Sequence, residues 1–283
     1  MNRGFIDNHT IPRSIEDIVI NGETVLVRVD YNVPLQPDST TISDDTRIRA
    51  SLPTIRYLVS RKCKVILCSH MGRPKGKVID DLRMGPVAER LSKLLGSHVT
   101  FVPDCVGPEI PRNVGALPPG GVILLENLRF HTGEENNDPD FANELASLAE
   151  LYVNDAFGAA HRTHASTVGV THHLPSVAGL LMVRELKMLG TSLNSPDRPF
   201  VAVIGGSKVS DKLAVLQQLA ETVDVLMVGG GMVATFLKAM GLTVGNSLIE
   251  NKRLQDATHL LSVRTEKNPT LQLPKDVVVA DSF

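Results

Sequence analysis

The sequence predicts an α/β protein with two parallel-sheet domains that are joined by a connecting helix. Short apolar runs alternate with amphipathic segments along most of the 283 residues, which is typical of βαβ units. A polar stretch at residues 194–199, with two prolines, interrupts this alternation and separates two strand–helix series. We therefore predict a first domain over residues 1–175, an interdomain helix and linker over 176–199, and an incomplete second domain over 200–283.

Short apolar runs predict the buried strands, and apolar residues at helical spacing predict the helices. In the first half the predicted strands are 25–29, 64–68, 99–102, 122–125 and 151–153, and the predicted helices are 46–60, 84–95 and 139–150. One longer helix is predicted over 176–193. In the second half the predicted strands are 200–204, 223–228 and 277–280, and the predicted helices are 210–220 and 232–240. This order favours two Rossmann-like folds, each with a mostly parallel sheet.

The composition is that of a folded protein with no nucleic-acid or membrane partner. Hydrophobic residues make up 42% of the chain and charged residues 21%, so a sizeable core can form. A net charge of -2 gives no general attraction to nucleic acid or to a membrane surface. The first residues lack an apolar signal core, and we expect a cytoplasmic protein that is monomeric.

The cysteines and histidines do not predict a metal site. Three cysteines are consistent with a reducing compartment. Cys63, Cys68 and His70 suggest zinc, but no second ligand pair has the spacing of a metal site. His161 and His164 have H-x-x-H spacing without the accompanying Glu that this motif needs. We therefore assign no residue as a metal ligand.

Hydrogen-bonding and cationic residues collect near the predicted strand ends of the first half. They are Asp30, Asn32, Arg47, His70, Arg73, Arg129 and Arg162. A guanidinium offers a planar fork of donors that matches carboxylate and phosphate oxygens. Each arginine alone is better explained as a solvated surface residue. Together, they predict a basic cup for a small, multiply charged anion.

The second half carries a different pattern, which predicts a polyphosphate or nucleotide site. Gly206 lets the backbone approach a ligand, and Lys208 and Lys212 are placed four residues apart on one face of the predicted helix 210–220. Gly229 and Gly230 begin a G-x-G-x-x-[GA] pattern after a strand, which also suggests a dinucleotide fold. Because the acidic residue expected after the next strand is missing, a nicotinamide-dependent dehydrogenase is only the second interpretation.

With these residues in view, the chain closely resembles the phosphoglycerate kinase family from about residue 19 to residue 283. Six blocks carry the resemblance in order and spacing: VRVDYNVP at 27–34, SHMGRP at 69–74, LENLRF at 125–130, NDAFG at 154–158, GGSKVSDK at 205–212 and GGGM at 229–232. Tyr31, where the family often has Phe, is a mild departure.

The resemblance implies a glycolytic kinase that moves a phosphoryl group reversibly between 1,3-bisphosphoglycerate and ADP, giving 3-phosphoglycerate and ATP with Mg²⁺. The seven residues of the cup would hold the glycerate substrate. Gly206, Gly229 and Gly230 would line the base pocket, and Lys208 and Lys212 would contact the phosphates. Arg47 and Lys212 would stabilise the charge on the transferring group, which is the catalytic task in phosphoryl transfer.

The resemblance also implies that the family continues beyond the position of Phe283, with a Gly-Gly-Gly-Asp turn whose Asp serves Mg²⁺. On that basis we expect the second domain to be incomplete and turnover by the 283-residue chain to be impaired. The alternative to a kinase of reduced activity is a non-catalytic fragment that binds the phosphorylated ligand.

Overall fold

The computed structural model describes residues 12–36, 39–262, 270–278 and 280. The chain divides into two compact units. The larger unit spans Ile6–Leu189, and the smaller unit contains Gly190–Phe283. The sequence-based limits at 1–175, 176–199 and 200–283 stay a prediction.

The larger unit is built on a six-stranded parallel sheet. In chain order its strands are β1 Thr24–Arg28, β2 Lys64–Cys68, β3 Val99–Phe101, β4 Val122–Leu124, β5 Leu151–Asn154 and β6 Ser176–Ala178. Their order across the sheet is β3-β4-β2-β1-β5-β6, with every pair parallel. The central position of β1 and β2 explains why their sequences are nearly continuous apolar runs, since both faces of these strands are covered.

Helices of the larger unit cover the sheet and bury two separate hydrophobic clusters. The helices are α1 Thr46–Ser60, α2 Gly85–Leu95, α3 Glu109–Gly115, α4 Thr132–Glu135 and α5 Pro139–Ala146. Val25 and Val27 of β1 belong to the cluster with α1 and α2, whereas Leu26 belongs to the cluster with α3 and α5. This alternation follows from the two-residue period of a strand, and it fixes which side chains of β1 face each of the two clusters.

The smaller unit contains a three-stranded parallel sheet of order β7-β8-β9, with strands Val201–Gly205, Val225–Gly229 and Thr270–Gln272. Helices α7 Leu213–Ala220, α8 Val233–Ala239 and α9 Leu254–Ser262 accompany it. Its core centres on residues such as Leu226, Val228 and Phe236. Helix α6 extends over Leu180–Asn194 and therefore crosses the division between the two units.

Predictions of secondary structure were wrong in several places, and helix α5, for example, ends at Ala146, four residues before its predicted end. Residues 176–178 form strand β6 rather than the start of a helix, because Ser176–Ala178 pairs with β5 at the sheet edge. Helix α7 begins at Leu213, three residues later than predicted. The predicted strand 277–280 is absent at its described residues 277, 278 and 280, and the third strand is β9 instead. Val278 is fully exposed.

Asp155, which follows β5, is a buried carboxyl group that receives the first turn of α6. Its Oδ1 accepts hydrogen bonds from the backbone N–H groups of Leu181 and Met182, at 2.9 and 3.4 Å. Gly179 must be glycine, because a Cβ there would lie 2.1 Å from the same oxygen. Burial raises the pKa of Asp155 to about 6, despite the hydrogen bonds from Thr54 and the helix backbone that favour the charged form.

We expect Asp155 to weaken the fold as pH rises from about 4 to about 6. A carboxyl whose native pKa is raised holds its proton longer in the folded state than in the unfolded state, so stability falls over this range. The loss is on the order of 3 kcal/mol, since each pKa unit is about 1.4 kcal/mol. Urea unfolding of the chain and of Asp155→Asn across pH 4–7 measures it. A stability difference between the two that does not change with pH would contradict the assignment.

Candidate active site

Three loops of the larger unit meet at the carboxyl ends of β1, β2 and β4. Asn32 Oδ1 accepts a hydrogen bond from the Gly72 N–H at 2.9 Å, and Arg129 Nη1 donates to the Gly72 carbonyl at 2.7 Å. Gly72 adopts a φ of +62°, which favours glycine. The structure thus brings together Asn32, Arg129 and the loop that carries His70 and Arg73.

Below this meeting point lies Arg28, whose guanidinium is almost completely buried. Its Nη2 is 3.0 Å from His70 Nδ1, its Nε donates to Ser166 Oγ at 2.8 Å, and its Nη1 donates to the carbonyl of Val29. Because a guanidinium can only donate, His70 Nδ1 accepts, and the neutral ring carries its proton on Nε2. His70 can therefore offer an N–H to an anion.

The surroundings of His70 are strongly positive. Burial, followed by the positive charges of Arg28, Arg129, Arg162 and His164, lowers the pKa of His70 to about 2. The ring is therefore neutral at neutral pH. Because the charges of Arg28, Arg129 and Arg162 all act on His70, these three arginines lie close to one site. This proximity is consistent with the basic-cup hypothesis.

Glu134 is the buried carboxylate that offsets this positive charge. It is fully buried, and its two oxygens accept from the Ser166 hydroxyl at 2.6 Å and from the Ser166 backbone N–H at 2.9 Å. His164 Nδ1 lies 3.6 Å away. Burial alone would raise the pKa of Glu134, but the His164 bond, the charge of Arg28 and the two Ser166 bonds outweigh it and lower that pKa.

Two arginine nitrogens are buried without a hydrogen-bond partner among the described residues, namely Arg129 Nε and Arg162 Nε. Arg129 Nε lies 3.1 Å from Glu135 Oε1 as an ion pair, without the geometry of a hydrogen bond. Burial lowers the pKa of Arg129. Unpaired, desolvated guanidinium nitrogens are costly in a folded protein, and an anionic ligand would satisfy them.

The remaining cationic residues of the predicted cup are exposed. Arg47 at the start of α1 pairs with Asp30, with Nη1 and Oδ2 2.7 Å apart. Gly158, in the loop after β5, also packs against Asp30, since a Cβ on Gly158 would lie 2.6 Å from Asp30 Oδ2. Arg73 is exposed and contacts no described polar partner. Beside Asn32 and Gly72, an open cavity of about 710 Å³ is lined by Val33, Leu35, Gln36, Ser39, Thr40, Met71, Asp81 and Leu82.

The glycines of the smaller unit pack backbone against backbone at the carboxyl ends of β7 and β8. Gly205 and Gly229 are level in the sheet, and the Met232 N–H donates to the Gly206 carbonyl at 2.9 Å. Gly230 has a φ of +72°, and a Cβ there would lie 3.0 Å from both the nitrogen and the oxygen of Gly206. A side chain at Gly230 would therefore force these loops apart.

The two lysines of this loop are exposed, and they are not on a helical face as predicted. Lys208 and Lys212 both precede α7, which begins at Leu213. Ser210 of the same loop bonds Glu250, with its N–H and hydroxyl at 2.9 and 2.6 Å from the carboxylate oxygens. Those bonds, and then the charge of Lys208, lower the pKa of Glu250. Sequence reasoning missed Glu250, which lies 40 residues away from its partner.

The donor sets of the described residues do not fit a protein-held Mg²⁺, which prefers oxygen ligands. Among the described residues, the group of three or more His, Cys, Asp and Glu side chains with metal spacing is Asp104, Cys105 and His131, which includes sulfur and nitrogen. Both carboxylate oxygens of Glu250 are taken by Ser210.

A parallel sheet that collects buried cations at its strand ends, with a glycine-lined loop pair on a second sheet, defines an α/β protein that handles small phosphorylated anions. The family model described as phosphoglycerate kinase matches residues 15–283. The chain belongs to the phosphoglycerate kinase family, and this assignment rules out the dehydrogenase interpretation.

Curated relatives and solved structures agree with this assignment. A phosphoglycerate kinase of Moorella thermoacetica is 55% identical over 95% of this chain and 68% of its own length. A phosphoglycerate kinase of Acaryochloris marina is 58% identical over 93% of this chain and 66% of its own length. The solved phosphoglycerate kinase of Coxiella burnetii matches at 41% identity with a TM-score of 0.80, over 95% of this chain and 68% of that one. The chain thus spans about two thirds of these relatives.

We expect Glu134→Gln to lower the free energy of unfolding by about 3–5 kcal/mol at neutral pH, because the buried Arg28 guanidinium loses the negative charge that offsets it. The matched control is Glu109→Gln, since Glu109 is exposed and paired only with the exposed Arg112. That change should stay within about 0.5 kcal/mol. Denaturant unfolding of both variants decides. Equal effects would show that the buried charge of Glu134 has no special role.

Proposed function

We propose that this chain is the substrate-binding part of a phosphoglycerate kinase that moves a phosphoryl group between 1,3-bisphosphoglycerate and ADP, giving 3-phosphoglycerate and ATP. The observation that carries the proposal is the buried, positively charged cup, in which Arg129 Nε and Arg162 Nε have no hydrogen-bond partner among the described residues. A bland surface patch of arginines would leave these nitrogens in water. Because the chain spans about two thirds of its relatives, the activity is proposed for the protein of which these residues are part.

Each group in the cup has a chemical role that its geometry supports. Arg129 and Arg162 bind acidic oxygens of the glycerate ligand, and neutral His70 donates its Nε2–H. Asn32 fixes the Gly72 loop, and exposed Arg73 adds a charge at its rim. Asp30 can accept from the ligand hydroxyl, while it positions Arg47 through their ion pair. Arg47 then stabilises charge on the transferring group.

For the nucleotide, we infer that the glycine loops form a smooth wall and the lysines supply charge. Gly206, Gly229 and Gly230 offer backbone without side chains, which permits close approach of a planar base or ribose. Lys208 and Lys212 are exposed and can reach phosphate oxygens, and Lys212 is the second candidate for charge stabilisation. Mg²⁺ that is bound to the nucleotide would neutralise part of the phosphate charge.

A monomeric, cytoplasmic protein is also part of the proposal. The three cysteines are free and buried, which is consistent with a reducing compartment. No described helix has both the length and the apolar character needed to cross a bilayer.

A non-catalytic fragment that binds the same ligands is the alternative to a kinase, and no observation favours it.

We expect the 283-residue chain to bind 3-phosphoglycerate, with an affinity that falls as salt rises. Arg129→Ala and Arg73→Ala should each weaken binding by about 1.5–3 kcal/mol, the range for a hydrogen bond to a charged group. Arg73 is exposed, so its variant should retain the fold. Arg112→Ala, on the exposed face of α3, is the control. Titration calorimetry in which Arg112→Ala weakens binding as much as Arg73→Ala and Arg129→Ala would remove the acid-site assignment.

For the nucleotide loops we expect Gly230→Ala to weaken ADP binding at least about tenfold, because its Cβ would meet the Gly206 backbone and shift the wall. Gly241→Ala is the matched control, since Gly241 has a φ of +83° but open space around it. Displacement of a fluorescent ADP analogue measures both. Unlabelled ATP should compete, and NAD should not. Equal losses in the two variants would mean that backbone strain, rather than close approach, explains the effect.

A further inference from the structure

A side-chain cluster outside the cup brings together a carboxylate, a thiol and an imidazole. Asp104 and Cys105 follow β3, and His131 follows the short helical turn Leu128–Phe130 after β4. Because β3 and β4 are paired and parallel, their loops meet at the same edge of the sheet. The ligand atoms of the three side chains all lie within 4.8 Å of one another.

The geometry points to a site for a zinc-like transition-metal ion held by Asp104, Cys105 and His131. Atoms that bind one tetrahedral ion lie about 3–4 Å apart, so small side-chain rotations would close the cluster around it. Sulfur, nitrogen and oxygen donors together favour a borderline-soft ion such as Zn²⁺ over Mg²⁺ or Ca²⁺. Three protein ligands leave the fourth tetrahedral position to a water molecule.

The three ligands are held in place, and one side remains open to solvent. The His131 ring stacks on Phe141 at a centroid distance of 5.0 Å, which restricts its rotation. Asp104 Oδ1 lies 2.7 Å from His131 Nε2 and also accepts the Cys105 N–H at 2.7 Å. Cys105 is buried, but the Asp104 side chain is about half exposed and provides a route for an ion.

Binding would exchange protons for the metal in a balanced step. The Cys105 thiol now donates to the Glu126 carbonyl at 3.0 Å, and it would lose this proton to solvent as the metal–sulfur bond forms. His131 Nε2 now donates its proton to Asp104 Oδ1, because a carboxylate oxygen accepts. To coordinate through Nε2, the ring would give up this hydrogen bond and pass that proton by tautomerisation to Nδ1. One positive ion would then replace a hydrogen bond and a thiol proton, and it would cross-link the loops after β3 and β4.

The test uses the full 283-residue chain and the metals alone. Zn²⁺ calorimetry should show one site per chain, and Co²⁺ should give the ultraviolet charge-transfer absorption of a cobalt–thiolate bond. Cys105→Ser should abolish that absorption and weaken Zn²⁺ at least about a hundredfold. Asp104→Asn and His131→Phe, which keep the polar contact and the ring stacking, should each weaken Zn²⁺ about tenfold or more.

Cys63→Ser is the control, because Cys63 is a buried thiol in the other hydrophobic cluster. It should leave the absorption and affinity unchanged. Because the Asp104 side chain is half exposed, Asp104→Asn should retain the fold. It therefore tests the site even if Cys105→Ser does not fold. No saturable Zn²⁺ site, a thiolate band that survives in Cys105→Ser, or unchanged affinity in both Asp104→Asn and His131→Phe would overturn the assignment.

Discussion

The larger unit depends on one buried electrostatic arrangement, in which Glu134 and Arg28 share Ser166 between them. Arg28 Nε donates to the Ser166 hydroxyl, and that hydroxyl donates to Glu134 Oε1. A buried guanidinium without such compensation would cost several kcal/mol. With it, positive charge can be held beneath a loop junction, where Arg28 in turn orients His70. The cup therefore depends partly on buried groups: Arg28 contributes positive charge, and it orients the N–H donor of His70.

The cup concentrates like charges, and the fold limits the cost by pairing selected members. Arg47 is paired with Asp30, and Arg129 with Glu135, whereas Arg162 Nε has no described partner. The pairs hold side-chain directions, and the unpaired nitrogens supply the attraction for an anion. His70 differs from the arginines, because its neutral ring adds no positive charge to the cup but still offers an N–H donor. A site of this kind is organised before its ligand arrives.

Sequence reasoning found the features that local pattern encodes. Apolar runs predict β1, β2, β4 and β5, and the carboxyl ends of these strands contain Asp30, Asn32, His70 and Arg129 at the loop junction. Gly96 ends α2 with a φ of +71°, which glycine adopts readily. Such signals are visible because strand period, helix period and glycine turns are properties of neighbouring residues.

The partners that hold the site could not be predicted in this way. Glu134 stands between Gly133 and Glu135, where nothing local marks it as buried. Its bond to Ser166 spans 32 residues, and the bond from Arg28 to Ser166 spans 138. Strands β6 (SVA) and β9 (TLQ) are short and contain no run of large apolar residues, so their identity depends on the neighbouring strand that pairs with them. Glu250 likewise has no sequence signal that ties it to Ser210.

The two candidate sites also differ in the physics that makes them specific. The cup relies on side chains whose positions are fixed by buried hydrogen bonds. A conservative change at Ser166 would therefore act on His70 through Arg28, without touching the ligand itself. The glycine loops rely on the absence of side chains, because Gly230 and Gly206 approach each other through backbone atoms alone. In the first site specificity comes from charge held at fixed points. In the second it comes from shape, and the exposed Lys208 and Lys212 add charge without fixed direction. The proposed substrates, a small, highly charged acid and a larger, partly apolar nucleotide, call for these two different solutions, one for each ligand.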